Sequence, residues 1–202
     1  TQEIQMNHNI SFLRIRPCDN DNEIYLNSRK KEGTSGFLLK KELNLDINEI
    51  HKKGFQTLSR DLEINSDAWL INDSNWKKFQ EINPKRLIYF YKDNKENALE
   101  IIDRLSPYTI LISKTTDLDF IKSINTNVKF MTSVYVDTIE DAVKFIDSGI
   151  SDLLLRDWSS EQIQELQGVE GVNLYERTLL SPIFSIDEAR DEFGKERYFK
   201  YL

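Results

Sequence analysis

The chain has 202 residues, a formal net charge of -7 and a sequence pI of about 5.0. Hydrophobic residues at 39% and charged residues at 30% fit a globular chain rather than a disordered one, and the length fits one domain over 1–202. The acidic balance and the lack of a dense Lys/Arg run argue against a nucleic-acid partner, and no apolar stretch approaches the ~20 residues of a membrane span.

A single cysteine, Cys18, excludes an internal disulfide framework. The polar start carries no signal-peptide pattern, and the two together predict a cytoplasmic setting. Thr1 to Gln5 precede Met6 and read as a remnant ahead of the native start. The chain has only 7 Gly. The pairs Gly33/Gly36 and Gly168/Gly171 do not follow strands in the pattern of a phosphate loop, so no nucleotide cofactor is expected.

In chain order, Ser11–Arg16 reads as a first strand, with Phe12, Leu13 and Ile15 apolar and Pro17 as its end. Residues 18–36 are polar and turn-rich, and Glu23–Asn27 reads either as a short strand or as a helical turn. Gly36–Lys40 is the second strand. Asp46–Lys53 is helical with Gly54 as its stop, and Leu58–Ile64 reads as a second helical piece. From there a phrase repeats at roughly twenty-residue spacing, the length of one compact βα unit. Its apolar runs are Ala68–Ile71, Leu87–Tyr91, Ile110–Ile112, Val128–Met131 (extending to Val136), Leu153–Leu155 and Val172–Tyr175.

Helical patterns fill the gaps. Ser74 or Asn75 starts one bearing Trp76, Phe79 and Ile82 before Pro84. Asp93 or Asn94 starts another bearing Ala98, Leu99, Ile101, Ile102 and Leu105, and Leu118, Ile121 and Ile124 mark a third. Asp137 to Glu140 fits a capping box, with Ile139, Ala142, Val143 and Ile146 inward, Lys144 and Asp147 outward, and Gly149 as the stop. Ser159 or Ser160 caps the helix of Ile163 and Leu166, and Ser185 starts a last one.

Alternating β and α phrases with contiguous apolar strands imply a parallel sheet covered on both faces. The fold class is α/β, and about eight strands is the closure number of a compact (βα)8 barrel. The alternative is an open doubly wound parallel sheet.

Thr138, Glu140, Asp141, Gly149 and Asp152 match a βα unit within Val128–Trp158. On these residues the segment resembles C-terminal units of several barrel families, glycerophosphodiester phosphodiesterases among them. The resemblance implies barrel architecture. It does not carry that family's activity, because the early His-Arg-Gly catalytic motif is absent.

In parallel α/β folds the active residues lie just past the carboxyl ends of strands. Arg16, Lys40, Lys92, Lys114, Arg156 and Arg177 fall there, with Asp73, Asp93, Asp117, Asp137, Asp157 and Glu176 among them. Arginines at a barrel mouth suit a carboxylate or phosphate, and a desolvated lysine suits Schiff-base chemistry. The expected catalytic residues are therefore Lys114 and Lys92. Arg16, Arg156, Arg177, Ser159 and Ser160 are the expected anion-binding residues, the serines through hydroxyls and helix-start amides. Helix capping is the competing role for Asp93, Asp137 and Asp157.

His8 and His51 lie away from strand ends, which argues against a histidine relay, and no His/Cys cluster predicts a metal. Cys18 reads as an unreactive free thiol. Trp158, beside Arg156 and Asp157, is the tryptophan expected to face a ligand.

Two readings of function follow. One is a lyase or isomerase acting on a small anionic metabolite at the strand-end mouth. The other is a non-catalytic α/β domain serving assembly or regulation, and a homo-oligomer is compatible with either.

Overall fold

The computed structural model describes residues 8–92, 94–113, 115–125 and 131–176. Among the described residues there are nine parallel strands: β1 (His8–Pro17), β2 (Gly36–Leu39), β3 (Gln56–Ser59), β4 (Ala68–Ile71), β5 (Leu87–Phe90), β6 (Thr109–Ile112), β7 (Met131–Val136), β8 (Asp152–Arg156) and β9 (Val172–Glu176). Each of β2 to β7 pairs with the next strand, and β1 pairs with both β2 and β8. That double pairing closes an eight-stranded barrel and rules out the open sheet.

The eight staves are not quite the expected eight. Gln56–Ser59 is a strand, not the start of a helix over Leu58–Ile64. Val172–Glu176 is a ninth strand outside the ring. β8 occupies one edge of β1 over Ser11–Ile15. On the other edge, β9 pairs with His8–Phe12 and β2 pairs with Ile15–Pro17.

Six α-helices among the described residues pack outside the strands: α1 (Glu23–Lys31), α2 (Ile47–Lys52), α3 (Lys95–Leu105), α4 (Leu118–Asn125), α5 (Ile139–Asp147) and α6 (Ser160–Gln167). Their starts follow from short polar side chains that satisfy free helix amides. Asn22, Asp46, Asn94, Thr138 and Ser159 each accept from the amide three residues on, and Ser159 with Gln162 completes a capping box. The expected helix after Ser74 is a short 3-10 turn, Trp76–Phe79, and a second 3-10 turn spans Pro84–Arg86. The expected elements at 128–130 and 185–201 lie outside the described residues.

Strand alternation sorts the core into inner and outer layers. Leu13, Ile15, Leu58, Ala68, Leu70, Ile88, Leu111 and Leu154 fill the barrel. Their neighbours Trp69, Ile71, Leu87, Tyr89, Leu153 and Leu155 point outward under the helices. Phe37, Leu39, Leu26 and Ile50 form a separate outer cluster beneath α1 and α2.

On α5 the buried face is Ala142, Phe145 and Ile146, while Val143 is only half-buried. Lys144 and Asp147 are exposed as the helical period requires. No helix among the described residues is long and apolar enough to cross a membrane.

Candidate active site at the barrel mouth

Every strand runs the same way, so the residues that follow them gather at one end. A cavity of about 380 Å³ opens there. Its apolar wall includes Ile15, Leu38 and Phe90, which belong to the barrel filling, and Ile112 at the end of β6. Its polar groups are Arg16, Arg60, Arg156, Tyr135, Asp137, Ser113 and Thr115.

The period of the strands explains who points in. Arg156 shares a face with Leu154 on β8, and Arg60 follows β3 on the face of Leu58. Asp137 shares the face of Tyr135 at the end of β7.

Electrostatics divides the three arginines. Arg16 is already engaged: Nη1 donates to Glu32 Oε2, and Nε lies 3.3 Å from Asp157 Oδ1. Arg29 Nη1 donates to the same Glu32 oxygen at 2.6 Å. Arg60 and Arg156 have no ion-pair partner among the described residues. Burial pushes the Tyr135 phenol above its ordinary pKa, the Arg60 and Arg156 charges pull it back, and Asp137 and Asp157 push it up. The phenol is therefore protonated at neutral pH and faces two guanidinium charges.

The residues expected from the sequence distribute as follows. Arg16 and Arg156 line the cavity. Lys92 is exposed beside it, with Nζ 5.4 Å from the ring centroid of the lining residue Phe90. Ser159 is occupied as the α6 cap, and Ser160 Oγ donates to the Glu32 carbonyl at 3.3 Å. Lys40 belongs to a neighbouring groove. Arg177, Lys114 and Asp93 lie outside the described residues, although Ser113 and Thr115 on either side of Lys114 both line the cavity.

Three expectations need correction. Asp137 does not cap α5. Thr138 does, with Oγ1 accepting from the Asp141 amide at 3.2 Å, and Asp137 lines the mouth. Trp158 does not face a ligand. Asp157 adopts a left-handed φ of 55° that turns the chain outward. Trp158 is then 1% exposed in the outer core, its Nε1 donating to the Val136 carbonyl at 2.8 Å. The Asp157 carboxylate pairs with Arg16 while Ser159 caps α6.

Arg60, Tyr135, Ser113 and Thr115 were not singled out from the sequence, whereas Asp137 stood among the strand-end acids with helix capping as its competing role. Arg60 would have been found by reading Gln56–Ser59 as a strand, since it would then follow a strand end as Arg156 does.

Cys18 is buried, and its Sγ lies 3.2 Å from the Asn20 carbonyl. Burial raises its pKa from 9.0 to about 12. Between those values the folded chain keeps a proton that the unfolded chain releases. Stability is therefore full below pH 9 and falls by about 1.4 kcal/mol per pH unit above it, to a total of about 4. Denaturant melts across this range should show Cys18→Ala with a shallower alkaline loss than the wild type; an unchanged slope refutes the assignment. The native thiol should also react slowly with a disulfide probe.

Among the described residues no group of three His, Cys, Asp or Glu side chains converges to hold a metal ion. No family model matches the chain, and no curated protein matches it in sequence. Among solved structures it is similar to phospho-2-dehydro-3-deoxyheptonate aldolase (DAHP synthase) from Thermotoga maritima. The TM-score is 0.53 at 12% identity, covering 83% of this chain and 72% of that one. Weaker likenesses are to N-acetylneuraminate lyase from Mycoplasma synoviae and to phosphoribosylanthranilate isomerase from Thermotoga maritima. The lyase has a TM-score of 0.47 at 10% identity, covering 98% of this chain and 79% of that one. The isomerase has a TM-score of 0.34 at 11% identity, covering 93% and 84%. At such identities the aldolase likeness establishes the fold alone: a parallel (βα)8-type barrel.

Proposed function

We propose that the barrel mouth binds a small anionic metabolite, carboxylate- or phosphate-bearing, and acts on it as a lyase or isomerase. The observation that carries this reading is the pair Arg60 and Arg156. Two guanidinium groups without partner carboxylates line one small cavity in a chain of net charge -7. Both side chains are exposed and solvated, which leaves them available to an anion, and the guanidinium fork matches carboxylate and phosphate oxygens in two hydrogen bonds.

Tyr135 and Asp137 supply proton chemistry beside that anion. The Asp137 carboxylate takes a proton from carbon next to a carbonyl, the C–H electron pair becomes a carbon–carbon double bond, and the Tyr135 phenol protonates the carbonyl oxygen. With an α-hydroxyl on the substrate the intermediate is an enediol, and return of the proton to the former carbonyl carbon, as the phenolate takes the α-hydroxyl proton and the carbonyl forms there, completes an isomerisation. Departure of a leaving group from the β carbon with its electron pair, as the phenolate retakes the enol proton and the carbonyl re-forms, completes an elimination. Lys114, expected as an amine nucleophile, offers the covalent route instead through a Schiff base that releases water. The assembly-domain reading has less behind it, because the exposed large hydrophobics among the described residues, Ile24, Leu43, Leu62 and Leu99, stand on separate elements.

Thermal shift with inorganic phosphate and small carboxylates tests the site. Ligand at a hundredfold its Kd should add about 2.7 kcal/mol of stability to the wild type. Arg60→Lys and Arg156→Lys keep the charge but lose the fork, so each should weaken binding about tenfold. A wild type that no anion stabilises, or variants that keep the full shift, would end the proposal. Borohydride reduction with carbonyl metabolites separates the two chemistries, since only the Schiff-base route leaves an adduct on Lys114.

A further inference from the structure

The wall of the mouth is uneven. An α-helix follows each of β5, β6, β7 and β8, but the β3–β4 connection over residues 60–67 is turn alone and the β4–β5 connection has only 3-10 turns. On that low side lies a groove of about 980 Å³. It runs between the end of β2, the β3–β4 turn and the Trp76–Phe79 turn, and it shares Leu38 and Arg60 with the mouth cavity. Arg60 thus stands where the two spaces meet. Asn75 Nδ2, on the far side of the groove, donates to the Arg60 carbonyl at 3.5 Å and ties the two walls together.

The groove's charges are not evenly spent. Lys41 holds two of its acids, Glu63 in a close ion pair and Asp61 at 3.9 Å. Glu42, exposed, is the remaining acid. Lys40 and Lys78 line the same groove, exposed, and their ammonium groups have no ion-pair or hydrogen-bond partner among the described residues. Leu39, Leu62 and Phe79 give it an apolar floor between the cations.

We infer that the groove is a second subsite of the mouth and that the ligand is an elongated bis-anion. One acidic group sits on Arg60 and Arg156, an apolar or neutral spacer crosses Leu38, and the second acidic group reaches Lys40 and Lys78. This rests on the mouth being the anion site proposed above, and the test keeps the two separable.

The probes are inorganic phosphate and the straight-chain dicarboxylates from malonate to sebacate, measured by titration calorimetry. The proteins are wild type and the Lys40→Glu/Lys78→Glu double variant, whose exposed positions should leave the fold intact, as circular dichroism checks. In the wild type, affinity should climb with chain length to an optimum about tenfold or more above the shortest diacid, as the second contact becomes intramolecular. The double variant should lose that optimum and bind phosphate as the wild type does. A flat length series in a wild type that binds phosphate overturns the groove and leaves the mouth standing. A length optimum that survives in the double variant also overturns it. A wild type that binds neither phosphate nor any diacid overturns both.

Discussion

Phe145→Asp should yield no folded protein, whereas Val143→Asp two positions away should be nearly silent. Phe145 is 2% exposed in the outer core beneath α5. Removing its ring costs about 3–5 kcal/mol in cavity and transfer terms, and a carboxylate left in its place without a partner adds several more. That sum reaches the roughly 5–15 kcal/mol that holds a domain folded. Val143 is half-buried, so an aspartate there can turn to water at a cost of about 1 kcal/mol. Circular dichroism and soluble yield of the two variants check the contrast. Equal behaviour would mean that α5 is rotated from the orientation described here.

Trp158→Ala should be the most damaging truncation. The indole is packed in the outer core, and its N–H satisfies the Val136 carbonyl at the end of β7. Losing the ring costs about 3–5 kcal/mol, and the carbonyl stranded without its donor adds about 1 more. For a domain of this size the melting temperature should fall by about 10 °C or more. Trp158→Phe should fall between the two, because it keeps most of the packing and loses only the hydrogen bond. A shift under about 3 °C for the alanine variant would contradict the burial. The same variants address function: if Trp158 packs rather than contacts ligand, Trp158→Phe should bind phosphate as the wild type does.

What was legible in the sequence follows from where the apolar residues are. β4, β5, β6 and β8 are covered on both faces, so they are written as unbroken apolar runs and stand out. β3 is not. Its Gln56-Thr57-Leu58-Ser59 holds a single large apolar residue, because its outer face is tied by polar contacts: the Thr57 amide donates to Asp67 Oδ2 at 2.8 Å, and His51 Nε2 lies 3.1 Å from Thr57 Oγ1. A strand stabilised in this way has no hydrophobic signature, and with β3 unread Arg60 was unread too.

Asp137 was obscured for another reason. Asp and Thr stand side by side before α5, and either side chain can cap. Only the register of β7, which turns Tyr135 and Asp137 to the same side, decides between them. Trp158 was misplaced because the left-handed turn at Asp157 breaks the strand alternation that its position after Arg156 suggests.

The three-way pairing of β1 bears on how the barrel comes to exist in time. The first strand's partners on one edge and half of the other, β8 and β9, are made late; Ser11 and its hydrogen-bond partner Asp152 are 141 residues apart. As the chain leaves the ribosome, β1 has only its short contact with β2, and the remainder of its hydrogen-bonding edge stays open until β8 and β9 emerge. Folding is therefore tied to closure of a very long loop, which slows the search and prolongs exposure of an unpaired strand. In this protein the ring is sealed by β8, the last of its eight staves in chain order, and the period before it arrives is when a nascent chain is most open to aggregation and to chaperones.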